Sequence, residues 1–180
     1  MSCVITYKGN KYTQEQFKEY ISSNKNEFSH IIASNENVID SFKRKMEGID
    51  YVFSQSPELA SIGSKAQYLQ YLSTIFKTSK VKDIVYHGSD TKFEGFLEDN
   101  LNYFGTQAIA KGYGKNLHPV VIEINKPYYE DGGNLSNQSY EDLYNKLDES
   151  GSDGFISNGK NLFIPKTEEQ IHMLGGKQDI

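Results

Sequence analysis

The apolar positions change rhythm part-way along the chain. Val4-Ile5-Thr6-Tyr7 and Lys11-Tyr12 flank Lys8-Gly9-Asn10, and β-formers on either side of a glycine turn predict a small hairpin. Thr13-Gln14-Glu15-Gln16 has the spacing of a capping box, and Phe17, Tyr20 and Ile21 follow at helical intervals, so a helix starts there. From 22 to 55, Phe28, Ile31, Ile32, Val38, Ile39, Phe42 and Met46 recur at similar intervals and predict two or three short helices. Pro57 and Gly63 punctuate. Ser64-Lys65-Ala66-Gln67 is a second capping box, opening a helix striped by Tyr68, Tyr71, Leu72, Ile75 and Phe76; such a stripe is core packing before it is anything else.

Beyond residue 80 the segments shorten. Val81–Tyr86 reads as a strand, Tyr103–Thr106 as a shorter one, and Ala108–Tyr113 as a helical turn closed by Gly112 and Gly114. Val120–Ile124 is the clearest strand, stopped before Pro127. Tyr140, Leu143, Tyr144 and Leu147 stripe a helix; Phe155-Ile156, Leu162–Ile164 and Gln170–Leu174 are further strands. Short strands interleaved with short helices, without regular βαβ spacing, predict an α+β fold. The expected organisation is a hairpin and helical segment over 1–80 and a mixed domain over 81–180.

Composition narrows the function. The 180 residues carry 19 lysines and arginines against 24 acids, a net charge of −5, which disfavours nucleic acid as a partner. Arg44 is the lone arginine and Cys3 the lone cysteine, so arginine phosphate clamps, disulfide frameworks and cysteine metal clusters are not expected. His30, His87, His118 and His172 are scattered, and no metal site is expected from them. No apolar run approaches the roughly 20 residues of a membrane span. The expected setting is cytoplasmic.

Candidate chemistry centres on Ile84-Val85-Tyr86-His87-Gly88-Ser89, where a histidine sits at the expected end of a strand before a glycine. A histidine there either caps a core strand or meets a ligand approaching the glycine backbone. Gly112-Tyr113-Gly114 lacks the third glycine of a dinucleotide fingerprint and precedes a strand instead of following one. Three further groups follow Tyr86-His87-Gly88-Ser89 in order. They are Tyr103-Phe104-Gly105-Thr106 with Ala110-Lys111-Gly112-Tyr113, Val120–Ile124 running into Pro127 and then Ser152-Asp153-Gly154-Phe155-Ile156, and Leu162–Pro165 leading to Glu169-Gln170-Ile171-His172.

This series resembles the ADP-ribosyltransferases of the diphtheria-toxin and poly(ADP-ribose) polymerase type, the His-Tyr-Glu class. It is most similar to the small phage-borne members found in polyvalent proteins, where Y-H-G-S/T, F-x-S/T…A-x-x-Y, G-x-D-G and Q-I-H/K recur. The resemblance covers roughly residues 57–178 and implies a split mixed or antiparallel sheet around an NAD cleft. NAD would be a substrate, its ADP-ribose passed to a macromolecular acceptor such as a protein side chain, in the cytoplasm of a bacterial host.

By the same resemblance His87 would bond a ribose hydroxyl, the Gly88 backbone would pair with the nicotinamide amide, and Tyr113 would stack on the ring. Tyr103 or Phe104 would flank the other side, with Ser89 and Thr106 completing the NAD-binding set. The family's glutamate falls where this chain has Lys160-Asn161-Leu162-Phe163, so Asn161 is the third catalytic candidate. An amide bonds a hydroxyl but supplies no negative charge. Glu168 or Glu169 would substitute if the adjoining turn folded over the site. The rival reading is a catalytically inactive domain of the same fold, acting as an interaction or phage structural module. RNA 2′-phosphate transfer or nucleic-acid modification on the same fold is disfavoured by the acidic balance.

Overall fold

A computed structural model describes residues 4–28, 37–96 and 100–179. Cys3, His30, Ile31 and Ile32 lie outside them. The chain divides into two compact units, 1–77 with 179–180, and 78–178.

The first unit opens with strands β1 (Ile5–Tyr7) and β2 (Asn10–Tyr12), paired antiparallel across Lys8 and Gly9. Both turn residues have positive φ, 48° and 78°, the left-handed geometry that suits a two-residue hairpin to the twist of its strands. Helix α1 (Gln14–Ser23) starts at Thr13, whose capping box with Gln16 is complete. Of the helices expected over 22–55, the described residues hold one of 18 residues, α2 (Val38–Gln55). Gly48 lies in its buried face, so the glycine is a packing position and not a break. After α3 (Leu59–Ile62), α4 (Lys65–Leu72) begins at the Ser64 capping box. It stops four residues before Phe76, which adopts a φ of 49°. Tyr7, Phe17, Phe28 and Phe42 meet edge-on or tilted at centroid distances of 4.6–6.3 Å, forming this unit's aromatic core.

The second unit is a seven-stranded mixed sheet. Its strands are β3 (Val85–Ser89), β4 (Phe104–Gly105), β5 (Asn116–Ile122), β6 (Pro127–Glu130), β7 (Gly154–Ser157), β8 (Leu162–Pro165) and β9 (Ile171–Met173). Their spatial order is β6-β7-β8-β4-β3-β5-β9; the β6–β7 pair is parallel and the rest antiparallel. Helix α5 (Gln107–Ala110) follows β4, while α6 (Gly132–Asn137) and α7 (Tyr140–Ser150) lie between β6 and β7 in sequence. The fold is α+β, as the sequence predicts.

Side-chain alternation gives each face its own core. Val85, Phe104, Val120, Ile122, Ile124, Ile156 and Phe163 pack together with Val81. Phe155, Leu162 and Ile164 pack with Leu101 and with Leu135, Leu143 and Leu147 of α6 and α7. The expected split is not a division into two sheets: pairing runs through all seven strands. The ladder narrows at β4, which meets β3 through Tyr86↔Gly105 and β8 through Phe104↔Phe163 and Gly105↔Leu162.

Candidate functional site at the open edge of β3

Strand β3 extends further than the sequence implies. His87 is its central residue, not its end, and Gly88 and Ser89 continue the pairing with β5 from Val85↔Val120 to Ser89↔Asn116. On the β4 side the register contains Tyr86↔Gly105. Past Tyr86 the ladder is therefore one-sided among the described residues, leaving a gap in the pairing between β3 and the run leading to β4. The His87 Nδ1, 2.9 Å from the Tyr103 carbonyl oxygen, spans it. A carbonyl only accepts, so the neutral ring holds its proton on Nδ1 and leaves Nε2 as an acceptor.

The 110–114 turn lies against the same strand. A Cβ on Gly88 would fall 1.9 Å from the Ala110 carbonyl oxygen and 3.3 Å from the Tyr113 Cβ. One on Gly114 would fall 2.2 Å from the Ser89 carbonyl carbon. Two glycines thus let the turn seat directly on β3. Thr106 caps α5 through Ile109 N–H, 3.4 Å from its Oγ1, and the Tyr113 N–H donates to the Ala110 carbonyl at 3.0 Å. These bonds place the Tyr113 backbone over Gly88 and leave its side chain 66 % exposed. An exposed aromatic ring beside a bare strand edge is a ready stacking surface. Tyr103 is half-buried, its ring 6.4 Å from that of exposed Tyr140. Its hydroxyl pKa is raised, first by burial and then by the neighbouring Tyr140 and Tyr113 hydroxyls.

His87 and Tyr113 reach β3 from opposite faces. Alternation sets His87 with Val85 and Ser89, where its ring meets Phe93, Phe96 and Phe104 at 5.4–5.8 Å; Gly88 turns the other way, toward Tyr113. A ligand touched by both must lie along the strand edge rather than over either face. Phe104 is 1 % exposed and belongs to the core, so it is not a ligand-stacking ring; Tyr103 is the candidate that remains on that side. The Ser89 hydroxyl is turned back to the Thr91 carbonyl.

Asn161 is engaged in the β7–β8 turn. Buried Ser157 donates its hydroxyl to Asn161 Oδ1 at 2.8 Å and accepts from the Asn161 and Leu162 amides at 3.1 and 3.0 Å. Continuing the registers sets Asn161 beside Thr106 and two residues out of the His87 row, about 12 Å away by strand spacing. Its side-chain carbonyl thus serves the turn. Glu168 and Glu169 do not fold over the site. The neighbouring Gln170 donates to the Glu123 and Asp153 carbonyls at 2.6 and 2.8 Å and accepts from the Lys166 and Thr167 amides. That brace fixes the turn beside Glu123, five residues beyond His118 along the β5 chain, or about 16 Å from the His87 row.

His118, directly across from His87 in register, is a participant the motifs do not single out. A hollow of about 400 Å³ lies elsewhere, along Ser22–Glu27 of the first unit. Among the described residues no three His, Cys, Asp or Glu side chains group to hold a metal ion, and no helix is long and apolar enough to cross a membrane. In comparisons with known proteins, no family model, curated protein or solved structure matches the chain.

Proposed function

We propose that the second unit is an ADP-ribosyltransferase-type domain that grips the nicotinamide end of NAD at the open edge of β3 and passes ADP-ribose to a protein side chain. The observation that carries this reading is the one-sided ladder past Tyr86, with the turn bearing Tyr113 seated on Gly88. Backbone groups on a bare strand edge suit a carboxamide, which both donates and accepts. Tyr113 offers a face for the pyridine ring. His87, with Nε2 as acceptor, suits a ribose hydroxyl. In the transfer the bond from the ribose anomeric carbon to the nicotinamide nitrogen breaks, and its electron pair leaves with nicotinamide. The acceptor's nucleophile then bonds the ribose carbon. The developing ribose cation calls for nearby negative potential.

A specific observation favours slow turnover. By the resemblance Asn161 falls where the family has its acid, its side-chain carbonyl accepts from Ser157, and loss of one preorganised electrostatic group costs ~10²–10³ in rate. The second reading follows: a domain that binds NAD and works as an interaction module. Incubation with labelled NAD, with and without bacterial lysate, separates them. Nicotinamide release and label on protein support the transferase, and Asn161→Glu is expected to raise release by about one to three orders of magnitude. Binding without release in either form leaves the interaction module.

A further inference from the structure

We infer that His118 is a positioning residue that fastens the Asp90–Phe96 segment as a strap across the His87 ring. The His118 ring, 8 % exposed, stacks on Phe93 with centroids 3.9 Å apart and planes at 23°. Its Nε2 lies 3.3 Å from the Thr91 carbonyl oxygen and 3.4 Å from the Ser89 hydroxyl, and the Thr91 amide donates to that hydroxyl at 3.2 Å. Phe93 and Phe96 then meet His87 edge-on at 5.7 and 5.4 Å. The strap bends back immediately after β3, and His118 is the polar group from β5 that meets it. Held this way, the His87 ring keeps the orientation that its Nδ1–Tyr103 bond sets. The consequence for NAD rests on the reading above; the fastening itself does not.

Burial of the His118 ring makes the strap sensitive to protons, and the charged groups around it add to the effect. His87 faces it from β3, and Lys92 lies on the strap itself. The Glu94–Lys177 pair, 2.9 Å apart, is at the surface; on the β9 side the register ends at Val120↔Met173, and the Leu174 amide donates to the Pro119 carbonyl at 2.9 Å. Burial holds the His118 pKa below the usual histidine value; the Thr91 carbonyl pulls upward, and His87 and Lys92 push down. A proton therefore binds the open strap better than the closed one. Closure is fully favoured above the ordinary histidine pKa of about 6.5 and is lost as pH falls from there through the lowered value.

The test is amide hydrogen exchange at Thr91, corrected for the intrinsic pH dependence, between about pH 7.5 and 5, with the His118 ring signals followed by NMR. Protection in the native chain is expected to fall by up to tenfold per pH unit below about 6.5. His118→Gln retains a donor for the Thr91 carbonyl but does not titrate, so its protection should show no such fall. Phe93→Ala should be poorly protected at every pH. Protection independent of pH in the native chain, or the same fall in His118→Gln, overturns the inference. NAD affinity measured alongside should weaken over the same range more steeply in the native chain than in His118→Gln, which keeps His87. Constant affinity while the strap opens removes the positioning role. Absence of NAD binding at any pH, with the exchange behaving as expected, defeats the functional reading and leaves the fastening intact.

Discussion

Gly88→Ala is the most severe single-atom perturbation the site offers. The added methyl would lie 1.9 Å from the Ala110 carbonyl oxygen and 2.8 Å from its carbon, against a practical minimum near 3.0 Å. Both clashing atoms are backbone, so no rotamer change relieves them. Strand and turn must part by about 1 Å, which places the cost near the upper end of the ~1–3 kcal/mol range for overpacking. A urea midpoint lower by roughly 1–3 M follows from typical slopes. Because the turn carries Tyr113, NAD affinity should drop at least about tenfold even under conditions where the variant stays folded. Gly114→Ala, pressed against the Ser89 backbone at 2.2–2.6 Å, should behave alike. Gly95, with nothing within 4 Å of a Cβ, is the control, and its alanine variant should stay within ~0.5 kcal/mol. Equal midpoints for Gly88→Ala and Gly95→Ala would refute the close seating of the turn on β3.

Ser157→Ala strips three hydrogen bonds from a buried position and should cost ~1–3 kcal/mol in chemical denaturation; no change would show the turn holds without it. Gln170→Ala should cost at least as much, since the amide ties β5, β7 and the end of β8 together, yet leave NAD affinity within about threefold, because the brace is at the far end of the sheet. Burial raises Tyr7 and Tyr103, and burial with the Asp179 carboxylate pushes Tyr71 up to about 12. A raised folded-state pKa favours folding below the unfolded value near 10 and loses that support as pH climbs through the folded values, so ultraviolet titration should find late tyrosine ionisation coupled to alkaline unfolding.

The α+β class and most elements were legible because the local signals agree with the tertiary contacts. The Thr13 and Ser64 capping boxes form as their spacing implies. The strand boundaries slip where a local rule yields to pairing. Pro119 hides the first half of β5, since proline reads as a strand breaker. It is accommodated because only its carbonyl is used there, accepting from the Leu174 amide at 2.9 Å. Val81 to Ile84 has the composition of a strand, whereas the ladder starts at Val85. Strand β6 opens on Pro127 and sits at a sheet edge, where its alternation is weak. Within the site, the 110–114 turn seats on Gly88, but the His87 and Tyr113 side chains lie on opposite faces of β3, which the motif order does not indicate. The distance of Glu168 and Glu169, the core position of Phe104 and the His118 strap depend on register and burial, which spacing along a chain does not encode.

On the proposed reading, the open edge of β3 receives NAD with Tyr113 stacked on its ring. Calorimetric titration of the full chain with NAD, alongside Tyr113→Ala and Tyr113→Phe, tests it most directly. Binding should be saturable, weakened by ~1–3 kcal/mol in Tyr113→Ala and changed by less than about threefold in Tyr113→Phe. No binding to the folded native chain, or equal affinity in native chain and Tyr113→Ala, would contradict it.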